Sequence, residues 1–367
     1  IDCFSQIPDP RNDKNKCHHL IDIIVIGICA VIGGCEGWEH MEEFAKSKEE
    51  WFKKFLELPS GIPSYSTIRR VFLLIDPKKF QESFVRWIEG LRETTGLDII
   101  SIDGKTLRRS HNKYLGSRAI HMVSAWSNLN GMVLGQLKTE EKSNEITAIP
   151  ELLELLYLEG CVVTIDAMGC QTEIAKKIVE KKGDYVLALK GNQGTLHEDV
   201  SLYFQDAMST DFNKIPHDFF EETDKGHGRL EIRRYWTTND IEWLRKRHPS
   251  WEKLLLIGVV ESERHQGEKI TIEKRHYIAS LENNAQTFAK AVRNHWGVEN
   301  PLHWCLDVTF REDESRIRSG HAAENFAVLR HVALNLLKKE KTYKKSIKLK
   351  RMKAGWDNQY LEKVLTA

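Results

Sequence analysis

The chain has 367 residues, room for two to three domains at about 150 residues each, and its 41% hydrophobic content is enough to bury a core. Lys and Arg number 54 against 53 Asp and Glu, so the net charge of +1 rules out recruitment of a polyanion by overall charge, leaving local patches to do it. The longest apolar run, Ile21 to Cys35, is interrupted by Asp22 and by glycines, which excludes a bilayer span. Seven scattered cysteines do not make a disulfide framework and predict a reducing, cytoplasmic compartment. The opening residues lack the basic-then-apolar pattern of a secretory signal, and a start at Ile1 leads us to expect further residues upstream.

Residues 1–95 read as an all-helical domain. Ile21 to Ile32 is a buried helix, Trp38 to Leu56 carries apolar residues at helical spacing, and Ser66 to Ile75 and Pro77 to Arg92 follow, separated by Gly33-Gly34, Pro59-Ser60-Gly61 and Asp76-Pro77. Arg69 and Arg70 make the third helix a candidate for a DNA groove. From Leu97 the period changes to two. Strands are expected at Leu97 to Asp103, Ala119 to Asn128 and Met132 to Lys138, the last two joined by the hairpin signal Asn130-Gly131. A helix over Glu145 to Leu158, a strand over Cys161 to Asp166, a helix over Cys170 to Lys181 and a strand over Asp184 to Leu189 complete a β-β-β-α-β-α-β order. That order predicts an α/β fold: a mixed sheet with helices on both faces. Residues 206–283 alternate instead, through Leu230 to Thr237, Leu254 to Glu261 and Ile270 to Ala279, and read as a β-rich insertion. Helical spacing returns at Asn284 to Trp296 and Pro301 to Phe310, so residues 96–205 and 284–337 form one core. Residues 338–367 begin with nine basic residues and one acid between Lys338 and Lys353, and read as a solvated basic tail.

Two carboxylates stand at strand ends, Asp103 in Ser-Ile-Asp-Gly-Lys and Asp166 in Val-Thr-Ile-Asp-Ala. A strand-end acid is poorly placed for packing and well placed for a site, although a lone one also serves as a turn cap. If the first and fourth strands are neighbours, the pair could share a divalent cation, and hard oxygen ligands favour Mg²⁺ or Mn²⁺. A third acid has two sources: Glu198 and Asp199 on the helix from Gly194 to Gln205, or Glu299 and Asp307 in the dense segment from Arg293 to Asp307. The second is chemically richer. Pro301 disfavours helix at Asn300, which places Glu299 at a helix N-terminal junction whose dipole would favour its ionised form.

Candidate phosphate contacts are Lys190, Asn192 and Gln193 past a strand tip, Arg293, His295 and Trp296 before Glu299, and Lys105, Arg108 and Arg109 after Asp103. Trp296 reads equally as a stacking platform or as core. Cys17, His18, His19, Cys29 and Cys35 fit no usual zinc spacing.

The strings Asp9-Pro-Arg-Asn, Phe44-Ala-Lys-Ser, Gly61-Ile-Pro-Ser, Ile102-Asp-Gly-Lys-Thr, Glu141-Lys-Ser-Asn-Glu-Ile-Thr-Ala-Ile-Pro, Thr164-Ile-Asp-Ala-Met-Gly-Cys-Gln, Leu189-Lys-Gly-Asn-Gln and His295-Trp-Gly-Val-Glu-Asn run along nearly the whole chain. In them the sequence resembles the H-repeat-associated transposases of bacterial insertion sequences, within the DDE group whose core is ribonuclease-H-like. The resemblance implies an acidic triad of Asp103, Asp166 and Glu299 holding two Mg²⁺ or Mn²⁺ ions. It implies strand cleavage at element ends and transfer of the 3′-hydroxyl ends to target DNA. The expected partners are double-stranded DNA, as terminal repeats and target, and a second copy of the chain when ends are paired, with nucleoid association and no membrane. The alternatives are a catalytically inactive DNA-binding remnant and a stand-alone metal-dependent endonuclease. Related families surround the glutamate with tyrosine, arginine and lysine; here Leu306 stands where the lysine is expected, leaving Arg311, Arg316 or Arg318 to supply the charge.

Overall fold

The computed structural model describes residues 2–12, 14, 16–93, 95–110, 119–139, 145–213, 215–226 and 228–367. Residues 141–144, which open one of the quoted strings, lie outside them. No helix among the described residues is long and apolar enough to cross a membrane.

The helical region begins with α1 (Asp2–Ser5) and the buried α2 (Leu20–Ile32), on which Asp22 accepts a hydrogen bond from the Leu58 backbone N–H at 3.0 Å. The segment expected as one helix from Trp38 to Leu56 is two, α3 (Trp38–Ser47) and α4 (Glu49–Phe52), broken at Lys48, whose φ of −121° is not helical. Helix α5 (Tyr65–Leu74) is capped by Ser64, and α6 (Pro77–Glu89) by Asp76 with Pro77 in its first turn, so both start where a side-chain acceptor meets orphan N–H groups. On α5, Ile68, Val71 and Phe72 are buried while Arg69 and Arg70 are exposed.

Among the described residues nine strands form one mixed sheet in the order β3-β2-β1-β4-β5-β9-β8-β7-β6. The first five, β1 (Ile99–Thr106), β2 (His121–Ser127), β3 (Met132–Thr139), β4 (Val162–Ile165) and β5 (Asp184–Leu189), include an antiparallel β1-β2-β3 meander. Strands β1, β4 and β5 run parallel, with Ile102 opposite Ile165. Helices α7 (Glu145–Leu155) and α8 (Thr172–Glu180) make the two crossovers, as the strand-helix order requires. The alternating residues insert after α9 (Thr195–Ser209) as β6 (Asp218–Gly226), β7 (Arg229–Thr238), α10 (Glu242–Arg247), β8 (Leu256–Gln266) and β9 (Lys269–Ala279). They do not make a separate sheet: β9 pairs antiparallel with β5 at Val186–Leu189, so the insertion prolongs the main one. Strand β6 was not anticipated, because its sequence Asp-Phe-Phe-Glu-Glu-Thr-Asp-Lys-Gly is polar and mostly exposed, as an edge strand tends to be.

The period of two sorts the sheet's residues onto its faces. Ile100, Ile102, Val163, Ile165, Leu187 and Leu189 pack in one cluster with Leu152 of α7 and with Ile174 and Ile178 of α8. Ile99, Val162 and Val186 belong to a second, with Phe288, Ala289 and Val292 of α11 (Ala285–His295). Helix α11 therefore covers the face opposite α7 and α8.

The C-terminal residues correct an expectation. Residues 338–367 are not a solvated tail: α13 (Ala322–Lys339) leads into α14 (Ile347–Trp356) and α15 (Asn358–Leu365), which close the helical bundle. Ala354, Tyr360, Leu361 and Val364 are buried. Two cations in this stretch are buried as donors to carbonyls: Lys350 Nζ donates to Leu337 O at 2.8 Å, and the Arg351 guanidinium donates to Val31 O at 3.0 Å and to Thr309 O. The lysine density hid a helical spacing of apolar residues, because long cationic side chains bury their stems and reach acceptors with their heads. Leu361→Ala should accordingly cost about 2–5 kcal/mol in urea unfolding, against less than about 0.5 kcal/mol for the exposed Lys363→Ala. Equal, negligible effects would mean that α15 does not pack.

Candidate functional site

Face assignment also decides where the strand-end acids go. Asp103 shares its side of β1 with Ile99 and Ser101, and Asp166, one residue past β4, continues the side of Val162 and Thr164. Both therefore lie on the face that α11 covers. Because Ile102 stands opposite Ile165, the next residues of the two chains are Asp103 and Asp166.

The end of α11 is fastened to this face by polar groups within the sheet. Ser101 Oγ donates to the Asn294 carbonyl at 2.9 Å and Thr164 Oγ1 lies 3.1 Å from His295 Nδ1, while Asn128 Nδ2 donates to Ser101 Oγ at 2.9 Å and to Ile99 O at 2.8 Å. Ser101 and Thr164 are buried but satisfied, as buried hydroxyls need to be. Gly297 passes so close to Asn128 that a Cβ there would overlap Asn128 Oδ1, so this junction requires glycine. The chain then enters a π-helical segment, Val298–Trp304, with Pro301 inside it, and continues into α12 (Cys305–Val308).

Glu299 lies in the first turn of that segment, at a helix start as expected, but Pro301 does not exclude helix at Asn300, because both lie inside the segment. Partial desolvation pushes its carboxyl above the usual range, with Arg275 opposing. Burial also pushes Asp103, to about 7; the Gly104 N–H opposes this, and negative charge on Asp166, Glu145 and Glu299 adds to it. Acids from positions 166 and 299 thus act on Asp103. Of the competitors, Asp199 is held by Arg247 at 2.9 Å and His248 at 2.8 Å in the insertion, and Asp307 by Lys105. The turn-cap reading of Asp166 is correct for one oxygen: Oδ1 accepts from the N–H groups of Met168 at 3.0 Å and Gly169 at 3.3 Å.

Crowded carboxylates with a raised pKa are the donor set that a hard divalent cation relieves. Among the described residues, no three His, Cys, Asp or Glu side chains stand close enough together to enclose an ion by themselves. In the segment from Cys17 to Cys35, Cys29 is buried and His19 Nε2 lies 3.0 Å from Glu57.

The candidate phosphate contacts divide. Lys190, Trp296 and Arg316 are exposed, and the Arg275 guanidinium lies 5.5 Å from the Trp296 ring centre. Arg293 pairs with Glu222 at 3.2 Å and Asp224 at 3.7 Å, Arg311 with Glu36 at 3.3 Å and with Glu314, and Arg318 donates to Arg109 O at 2.7 Å. His295 is committed to Thr164. Asn192 donates to Ala167 O at 2.7 Å and Gln193 to Cys170 O, so both amides brace the loop that follows Asp166. Lys105 is in the interior rather than on a surface.

Sequence reasoning missed what surrounds Asp103. Gly104 has no room for a Cβ because Glu145 Oε1 and His121 Nε2, themselves 2.6 Å apart, press against it, and His121 Nδ1 reaches Thr106 Oγ1 at 2.9 Å. His303 Nδ1 lies 3.6 Å from Asp103 Oδ2. Lys105, two residues along the strand, binds Asp307 and, at 2.8 Å, Glu312, whose other oxygen meets Arg330 at 3.2 Å. The cation beside the carboxylates that follow Glu299 is therefore Lys105, supplied by β1, while Leu306 is buried core. Glu145 was visible only as a letter in a motif string and His303 only as one in the dense segment from Arg293 to Asp307, since nothing local marks them.

Burial would raise the Glu312 carboxyl, but Lys105 and Arg330 overcome it and bring it to about 2, from 4.5. A depressed folded pKa contributes stability that is complete above about pH 4.5 and is lost as pH falls toward 2. Glu312→Gln should flatten that acid limb and lower stability at pH 7 by about 3–5 kcal/mol, since it leaves buried cations short of a partner. Urea unfolding from pH 3 to 7 measures both; an unchanged pH slope would remove Glu312 from the ledger.

The geometry can be set beside known proteins. Residues 94–336 match the family described as Transposase DDE domain, and residues 1–88 the one described as DDE_Tnp_1-associated. The chain is 43% identical over 366 residues to the "H repeat-associated putative transposase YhhI" of Escherichia coli K12, covering 99% of this chain and 96% of that one. It is 45% identical over 279 residues to the "Uncharacterized protein in dhlA 3'region" of Xanthobacter autotrophicus, covering 76% of this chain and 92% of that one. Among solved structures, a piggyBac transposase synaptic complex with hairpin DNA is similar at a TM-score of 0.44 and 11% identity, covering 100% of this chain and 80% of that one, too loose a likeness to carry an argument. On the family match and the near full-length identity, this chain belongs to the DDE transposases, beside the H-repeat-associated members that its motifs resemble.

Proposed function

We propose that the protein cuts insertion-sequence ends and joins the freed 3′-hydroxyl ends to target DNA, with Asp103, Asp166 and Glu299 holding two Mg²⁺ or Mn²⁺ ions on a ribonuclease-H-like core. The observation that carries this reading is the parallel register that sets Asp103 beside Asp166 on the face to which α11 delivers Glu299. Divalent cations bound there would neutralise charge on a phosphodiester and lower the pKa of a bound water.

The chain's own residues do the rest. Asp103 and Asp166 sit on rigid strand ends, where their spacing is fixed by backbone pairing rather than by a loop. The Lys105 bridge to Asp307 and Glu312 ties β1 to the segment that carries Glu299, so the acids keep their mutual placement as DNA enters. Beside them runs a groove of about 490 Å³ between the insertion strands and α11, lined by Arg229, Arg233, Arg264, Arg275 and Arg293 and by Trp296. Guanidinium groups and an aromatic face suit a nucleic-acid strand. Lys190 and Arg316 are exposed cations that would add backbone contacts, and Arg69 and Arg70 offer a groove-binding helix. Joining two ends in one event calls for paired copies of the chain, hence a homodimer on DNA.

The test is an end-containing duplex with Mg²⁺. The wild-type protein should nick it and transfer pre-cleaved ends; Asp103→Asn and Asp166→Asn should each lose at least about 10³-fold in cutting while binding the duplex within about tenfold. Undiminished cutting by either variant excludes this site. Cutting without transfer by the wild type would leave a stand-alone endonuclease, and binding without either would leave an inactive remnant.

A further inference from the structure

The lysine-rich stretch from Lys338 to Trp356 contains one acid, Glu340. That carboxylate is buried and fully engaged: it accepts from the Thr342 N–H at 2.6 Å and from the Tyr360 hydroxyl at 2.8 Å, and Lys350 Nζ lies 3.5 Å away. One enclosed group therefore pins the turn 341–346 to both α14 and α15. Lys341, Lys344, Lys345 and Lys348 stand on this pinned scaffold. All four are exposed, and among the described residues none has a carboxylate within ion-pair distance. The groove arginines differ in this respect, since Arg233 and Arg293 are held by Glu231 and Glu222. A second observation comes from the apolar residues of α14. Lys350, Arg351 and Ala354 face the bundle, while Leu349, Met352 and Trp356, at i, i+3 and i+7, make a stripe on the opposite side. Trp356 is 76% exposed, the most exposed large hydrophobic side chain among the described residues. A helix whose outer face met only water would carry no such stripe.

Charge decides what covers this face. Lys348 borders the stripe one turn before Met352, and Lys345 stands one turn before Leu349. A second copy of α14 laid on it would set lysine against lysine, whereas a phosphate backbone meets cations with no partner to give up. Position agrees with charge. Arg351 donates to Thr309 O, and the chain from Glu299 to Thr309 is helical for nearly its whole length, a span of about 15 Å, less than half a turn of duplex DNA. We propose that this face of α14 and the turn before it is a second duplex-DNA contact, which grips the duplex beyond the point of cleavage. The four lysines take backbone phosphates, and the Leu349-Met352-Trp356 stripe packs against the sugars of the groove between them. This rests on the reading of the chain as one that cuts duplex DNA.

The experiment measures binding of the full chain to a mixed-sequence duplex of about 40 base pairs by fluorescence anisotropy, across about 0.05–0.3 M KCl. Log affinity should fall linearly with log salt. Combining Lys344→Gln, Lys345→Gln and Lys348→Gln should reduce that slope by about 2–3 and lower affinity at about 0.1 M salt at least about tenfold. Arginine at the same three positions should keep the wild-type slope, which separates lost charge from lost structure. Trp356→Ser should weaken binding about fivefold and leave the slope unchanged, because it removes contact area and no charge. A glutamine variant with wild-type slope and affinity overturns the proposal, and so does a slope reduced equally in the arginine variant. A Trp356→Ser chain that binds the duplex normally but loses self-association in sedimentation also overturns it and gives the face to a second copy. In each of these cases Asp103-dependent nicking by the wild type leaves the acidic site standing; a wild type that binds no duplex at any salt overturns both readings.

Discussion

The parallel pairing of β1 with β4 is the constraint on which the site depends. Once Ile102 stands opposite Ile165, the alternation of side chains leaves no freedom: Ile102 and Ile165 enter the core under α7 and α8, and Asp103 and Asp166 must take the other face. A slip of one residue would bury two carboxylates among leucines and expose two isoleucines, a cost that burial alone makes prohibitive. The acids thus inherit their placement from the hydrophobic pattern of their own strands. The same alternation aims Ser101 and Thr164 at the end of α11, where their hydroxyls find Asn294 and His295, and this fixes the point from which the Glu299 segment starts.

Holding that segment against β1 raises an electrostatic difficulty, since it carries Asp307, Glu312 and Asp313 toward a strand already bearing Asp103. The resolution is Lys105, buried between two of them, with Arg330 behind. The two cations around Glu312 respond differently: Lys105, with two carboxylates, is pushed above its ordinary pKa, whereas Arg330, wholly enclosed with one partner, is pulled below by burial. Because breaking such a network strands an uncompensated charge, it makes the geometry around Asp103 stiff even though its net contribution to folding is small.

How much of this could be read from letters follows from how local each signal is. The β-β-β-α-β-α-β order, the hairpin at Asn130-Gly131 and the neighbouring of the first and fourth strands all rest on periodicity and connection rules, which act over a few residues, and they were legible. So was the junction at Glu299, because the end of α11 marks it, whereas Pro301, expected to exclude helix at Asn300, lies inside the segment. Lys105 read as a surface cation because its partners lie some 200 residues away. The C-terminal helices were hidden by composition, since nine basic residues obscure the spacing of Ala354, Tyr360, Leu361 and Val364. His303 and Glu145 carry no local mark at all; only their proximity to Asp103 distinguishes them.

The balanced charge of the chain has a structural counterpart in the insertion. Its arginines are not bare: Arg233 holds Glu231 at 2.6 Å, Arg264 reaches the same carboxylate at 3.4 Å, and Arg275 is bidentate to Glu273. A strand of nucleic acid entering that groove would exchange carboxylate for phosphate on guanidinium groups already oriented, rather than order long free side chains from water. Each contact would then yield less net attraction than an unpaired arginine, but little conformational entropy would be lost in making it. Such a surface discriminates by geometry more than by charge, which is what a chain of net charge +1 requires if it is to select a few sites on a polyanion and leave the remainder unoccupied.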